Sequence, residues 1–218
     1  MSNVHPAVVR VTHWIHTFSF LALLVSGVAI LMAHPRLYWG ETVALGSPAL
    51  VDLPIPFNLD QSGWGRSLHF LAAWAGVLNG MVYVLFGLLT DHYRSNMRPA
   101  AADLSWQPIA QRVSQYLHWK KPDEDEPETY NVLQRLAYLA VVFGLFPLMI
   151  VTGLAMSPAV AAVLPAIVAV FGGHQSARTI HFFVMVLLVI FLILHVAMIS
   201  LAGFKARMRA MITGRSAA

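Results

Sequence analysis

Four stretches of this chain contain no Asp, Glu, Lys or Arg: residues 11–35, 67–90, 136–177 and 179–204. Three are 24 to 26 residues long and the fourth is 42. A hydrocarbon core about 30 Å thick takes about 20 apolar residues of helix to cross, so each stretch is long enough to span. The overall balance agrees: 58% of the residues are hydrophobic and 11% charged, against about 25% charged in soluble domains. A soluble globule is excluded. The expected fold is all-α, an integral membrane four-helix bundle forming a single domain over residues 1–218, with spans at about 11–33, 67–90, 131–156 and 179–203. The first span is too long for a signal-peptide core and no clear cleavage site follows it, so it is expected to be retained. In the 42-residue stretch, Pro158, Pro165 and Gly172-Gly173 interrupt the helix and predict a re-entrant or interfacial turn.

Four spans put both termini on one side, and the basic residues choose which. Arg10, Arg94, Arg98, Arg112, Lys120, Lys121, Arg135, Lys205, Arg207, Arg209 and Arg215 lie on the terminus side, against Arg36, Arg66 and Arg178 on the other. The positive-inside rule makes both termini cytoplasmic, with loop 91–130 cytoplasmic and loops 34–66 and 157–178 external. This asymmetry accounts for the pI of 9.7 without a nucleic-acid partner; the partner is membrane lipid. Within the cytoplasmic loop, Ile109, Val113, Tyr116 and Leu117 have the spacing of a helix lying on the membrane surface, and the run Asp123–Glu126 reads as a solvated face. With no cysteine, the chain can hold no disulfide, no thiolate-bound iron–sulfur cluster and no covalently attached haem.

Histidine carries the chemistry. His13, His16, His69, His181 and His195 all fall within the spans, where an ionisable side chain is costly and marks function. His195 follows His181 by 14 residues, close to four turns at about 3.6 residues each, so both imidazoles share a face about 21 Å apart along the axis. One metal ion cannot be shared over that distance, whereas two cofactors at different depths can each take one. With alternating span directions, His69 matches His181 in depth near the outer face, and His13 or His16 matches His195 near the inner one. Two nitrogen ligands from two helices are what a b-type haem requires; zinc wants three or four donors at one point.

Arginine repeats with these histidines. Arg10-x-x-His13, Arg66-x-x-His69 and Arg178-x-x-His181 each put a guanidinium one turn nearer water on the histidine's face, where a haem propionate needs a cation. Ala72, Ala73, Gly76 and Gly80 form a small-residue stripe after His69, and Gly27 faces as His13 does, two heptads on. The remaining histidines, His5, His34, His92, His118 and His174, fall outside the spans and read as loop or interface residues.

The chain resembles the bacterial di-haem cytochrome b membrane subunits, a cytochrome b561-like group that includes the formate dehydrogenase gamma subunit, the nickel–iron hydrogenase b-type subunit and the thiosulfate reductase cytochrome b. The resemblance covers nearly the whole chain. It rests on Arg10-Val-Thr-His13-Trp14, Gly65-Arg66-Ser-Leu-His69, Tyr130-Asn131-Val-Leu-Gln134, the separation of His181 from His195, and a basic tail with Met211-Ile-Thr-Gly214. It implies two haem b with His13 rather than His16 as the inner ligand, so that His13, His69, His181 and His195 are axial and Arg10, Arg66 and Arg178 meet propionates. It implies a quinone beside Asn131 and Gln134, a bacterial inner-membrane location, and a periplasmic redox partner, expected to be a molybdenum oxidoreductase. The chain would then be an electron-transfer subunit and not the substrate-converting one. Two rivals use the same residues differently: a self-contained oxidoreductase passing electrons from superoxide to quinone, and a non-redox transporter or scaffold.

Overall fold

A computed structural model describes residues 5–41, 47–55, 63–90, 93, 107, 110, 114 and 132–215. The surface-helix positions Ile109, Val113, Tyr116 and Leu117, the acidic run and Asn131 lie outside the described residues. Four helical stretches have the length and composition to cross a membrane: Ala7–Ala33, Trp64–Leu89, Leu133–Ala155 and His174–Leu201. We name the helices α1 (Ala7–Ala33), α2 (Trp64–Leu89), α3 (Val132–Ala140), α4 (Phe146–Ala155), α5 (Pro158–Val163), α6 (Ala166–Val170), α7 (His174–Leu201) and α8 (Phe204–Thr213). A two-residue antiparallel pair, β1 (Arg36–Leu37) with β2 (Val51–Asp52), lies between α1 and α2 in the register Arg36↔Asp52 and Leu37↔Val51. The architecture is an all-α, multi-pass membrane bundle.

Packing follows lipid rules. On α1 the buried polar residues Thr12, Ser19 and Ser26 recur every seven positions, while Val11, Phe18 and Val25 beside them are exposed, Phe18 by 67%. With lipid tails as the outer solvent, large apolar side chains gain nothing by turning inward, and small residues let helices approach. Ser26 and Thr12 satisfy their hydroxyls on their own helix, donating to Ala22 O at 2.6 Å and Val8 O at 2.8 Å. In the stripe on α2, Ala72 and Gly76 are buried with Asn79, and a Cβ on Gly76 would lie 3.7 Å from that of Ser19. At Gly80 no atom comes within 4 Å of such a Cβ, so the expected close approach holds at Gly76 and not one turn later.

The third span is not uniform. Between α3 and α4 the residues Val141–Leu145 form a π-helical segment. Pro147 explains it: its ring cannot donate and would meet the carbonyl of residue 143 in a regular helix, and one wide turn relieves both. After α4 the chain turns through α5 and α6, each with proline at or just before its start, to Gly172 and Gly173 at φ 73° and 121°. The last span starts at His174, five residues earlier than its spacing suggested, and so includes Arg178.

Contacts divide the chain into two units, Met1–His13 with Gly80–Gly144 and Val189–Ala218, and Trp14–Asn79 with Leu145–Leu188. In the second unit, the segment Tyr38–Glu41 is strapped to the start of α7. Gly40 N donates to Ser176 Oγ at 2.8 Å, Gln175 N donates to Gly40 O at 3.0 Å, and Thr179 Oγ1 donates to Tyr38 O at 2.6 Å. A Cβ on Gly173 would collide with the Gly40 backbone, on top of a φ that side chains avoid. Gly173→Ala should therefore lower stability by about 1–3 kcal/mol. Gly63→Ala, where a Cβ meets no atom within 4 Å, should be near neutral; thermal unfolding in detergent reads the difference.

Candidate haem sites

The histidines expected to pair do so. His13 on α1 and His195 on α7 have ring centroids 6.4 Å apart with planes at 45°, within the first unit. His69 on α2 and His181 on α7 repeat the distance, 6.4 Å, with planes at 59°, within the second. A direct N–H···N bond of about 2.9 Å would draw end-on rings to centroids about 5.2 Å apart. An iron between two imidazoles, with bonds of about 2.0–2.1 Å and ring centres about 1.1 Å behind each nitrogen, sets them about 6.3 Å apart. Both gaps are the width of a metal centre. Among the described residues no three His, Asp or Glu gather to hold a metal, and each site consists of one pair of imidazoles.

In the His69–His181 pair the ring tautomer follows from the neighbours. Ser26 Oγ lies 3.0 Å from His69 Nδ1, and Thr152 Oγ1 lies 3.0 Å from His181 Nδ1. Each hydroxyl donates its own proton to a carbonyl on its helix, Ala22 O at 2.6 Å for Ser26 and Leu148 O at 2.7 Å for Thr152, so each oxygen accepts from the ring. Each Nδ1 therefore carries the proton, and each Nε2 keeps the lone pair that iron needs. Gly27 and Gly153, each next to one of these hydroxyl residues, leave room: a Cβ on either would lie 3.5 Å from Cε1 of His69 or His181. Gly27 thus faces the second pair, as its spacing from His13 implied.

Around the first pair the surroundings are aromatic. Phe191 stacks on His195 at 5.7 Å and 23°, and Tyr138 meets the same ring edge-on at 6.2 Å. Gln134 lies one turn before Tyr138 on α3 and so shares its face, half-buried. His16 packs its ring against Phe146 at 4.5 Å and pairs with no other histidine by ring contact among the described residues.

The arginines are less uniform than their spacing. Arg10 donates from Nη1 to Ile212 O at 2.8 Å, at the C-terminal turn of α8, where a cation meets unsatisfied carbonyls. Gly214, at φ 79°, ends that helix, and a Cβ there would lie 3.0 Å from Arg10 Cζ. Among the described residues Arg10 Nε is buried with no hydrogen-bond partner, one turn from His13. Arg178 donates to His34 O, capping α1, and Arg66 is exposed at the start of α2. Their charges converge on His34, whose pKa burial lowers first and Arg178 and Arg66 lower further. A cationic end beside the second pair suits a carboxylate-bearing cofactor.

Spacing alone did not show Ser26, Thr152, Tyr138 or His34. A signal for the first two does exist, a hydroxyl residue followed by glycine at Ser26-Gly27 and at Thr152-Gly153, but only the fold says which rings they meet.

These features define a multi-pass helical membrane protein with two pairs of facing helices that each bring two imidazoles together. The chain belongs to the prokaryotic cytochrome b561 family, whose sequence model matches residues 4–214. It is similar to a protein of Azospira oryzae whose name marks it as the candidate protein-methionine-sulfoxide reductase subunit YedZ1, at 30% identity over 201 residues, 91% of this chain and 90% of that one. No solved structure matches. The protein is accordingly a haem b electron-transfer subunit of the bacterial inner membrane.

Because His34 is held below its ordinary 6.5, the unfolded chain binds more protons near that pH. Its contribution to stability is therefore present above pH 6.5 and is lost as pH falls below it. Arg66→Gln should raise the His34 pKa part of the way back, read from its ring NMR signals assigned with His34→Gln; an unchanged value would show that the Arg66 charge is not felt.

Proposed function

We propose that the chain carries two haem b, one in each histidine pair, and moves electrons between a quinone near the cytoplasmic face and a redox partner docked on the periplasmic face. The equal 6.4 Å spacing of two separate imidazole pairs carries this reading. The eleven-to-three distribution of basic residues supports the orientation, with both termini cytoplasmic, the His13–His195 pair inside and the His69–His181 pair outside. The whole chain is read as one transmembrane domain.

His13, His195, His69 and His181 would hold the iron, Arg10 through Nε would meet one propionate, and Arg66 and Arg178 would meet those of the outer group. Bound haem supplies one-electron redox chemistry, at potentials set by the axial imidazoles, burial and nearby charge. Apolar helix faces keep water from both pairs, and the aromatic rings of Phe191 and Tyr138 wall His195. Gln134, on the face of α3 that brings Tyr138 to His195, would donate its amide to a quinone carbonyl, and Asn131, three residues earlier in the sequence, would do the same. The relative's name places that protein in a methionine-sulfoxide reductase. By this likeness, the partner here is an oxidoreductase that converts the substrate itself, of the molybdenum type.

A pyridine haemochrome assay should give two haem b per chain. His195→Ala should halve that content and abolish quinone-linked reduction while the outer centre's absorbance remains; a variant that keeps both haems refutes the pairing. Asn131→Ala should slow quinone reactivity about tenfold or more without haem loss, as removal of one hydrogen bond of about 1.4 kcal/mol would. Unchanged kinetics would leave Asn131 a helix cap.

A further inference from the structure

Hydroxyl residues inside membrane helices ordinarily need no explanation beyond self-satisfaction: the oxygen donates to a carbonyl one turn back and the group is quiet. Thr12 does this, and so do Ser26 and Thr152. The last two differ in what their lone pairs meet. Each is fully buried, each sits on a helix facing a different ligand, and each oxygen is 3.0 Å from that ligand's Nδ1. The single hydroxyl proton is spent on Ala22 O at 2.6 Å in one case and Leu148 O at 2.7 Å in the other. Each oxygen can therefore only accept from the ring. The arrangement is duplicated across two helices with no sequence relation beyond hydroxyl-then-glycine.

We propose that Ser26 and Thr152 are positioning residues that fix the tautomer and rotation of His69 and His181 and lower the midpoint potential of the centre these histidines hold. The proposal rests on the reading of that pair as a haem site. A ring whose Nδ1–H is drawn toward an acceptor is a stronger donor through Nε2, and a stronger donor favours the ferric over the ferrous state. Both ligands of one iron are held alike, so their effects act in the same direction. Gly27 and Gly153 belong to the same device: each leaves the edge of the held ring free of a side chain, so only the hydroxyl sets its angle. His195, flanked by Phe191 and Tyr138, is surrounded differently, and the two centres are thereby made unequal.

The test uses the full-length protein in detergent. Haem content of the unaltered protein comes first, and fewer than two haems per chain would remove the underlying reading rather than this proposal. Potentiometric titration then compares Ser26→Ala, Thr152→Val and the double variant with the parent, in the His195→Ala background so that only the outer centre reports. The expected result is an upward shift of the outer midpoint in each single variant, larger in the double, with altered g-values in the ferric low-spin EPR spectrum. The hydroxyl-retaining Ser26→Thr and Thr152→Ser should keep the parent's midpoint and g-values. Where a hydroxyl-free variant loses the outer haem, retention in its hydroxyl-retaining counterpart supports the same conclusion, and equal loss in both overturns it. A double variant with the parent's midpoint and spectrum also overturns it.

Discussion

An imidazole binds iron only through the nitrogen that carries no proton, so the position of one hydrogen decides whether a histidine in a membrane helix is a ligand. At His69 and His181 that position follows from acceptors that cannot donate: the hydroxyls of Ser26 and Thr152, already committed to Ala22 and Leu148. The hydrocarbon enforces this economy. With no water to satisfy a stray donor, every polar group at depth must find its partner in the protein, and a network that satisfies all its members admits only one protonation state.

The same solvent accounts for the inverted packing. Thr12, Ser19 and Ser26 turn inward while Phe18 and Val25 turn out, because hydrocarbon welcomes the large side chains and close approach rewards the small ones. Small inward residues do more than let helices meet. Gly27 and Gly153 lie beside the rings of His69 and His181, so the residues that bring helices together also keep the ligands' edges clear.

Much of this was legible beforehand, and the reasons are local. Charge-free length marked the spans, and a 14-residue interval on one helix put His181 and His195 on one face; depth then matched His69 to His181 and left His13 or His16 for His195, the resemblance pointing to His13. Other features depend on distant neighbours, and a hydroxyl followed by glycine does not say which ring it meets. Ser26 and His69 are 43 residues apart, and Thr152 and His181 are 29 apart, with no period connecting them. The wide turn before Pro147 is a local consequence of proline, but periodicity averaged over a span does not register it. Arg10, Arg66 and Arg178 share one spacing to histidine and yet meet different surroundings, because spacing fixes a face and a depth but not which carbonyl is at hand.

The hydrogen bond from Arg10 to Ile212 has a bearing on the order of assembly. Its two partners are 202 residues apart, so the guanidinium is synthesised long before the carbonyl that receives it. While the intervening spans are being inserted, the first helix lacks this anchor. The earlier helix thus gains this anchor only when the later segment has been made.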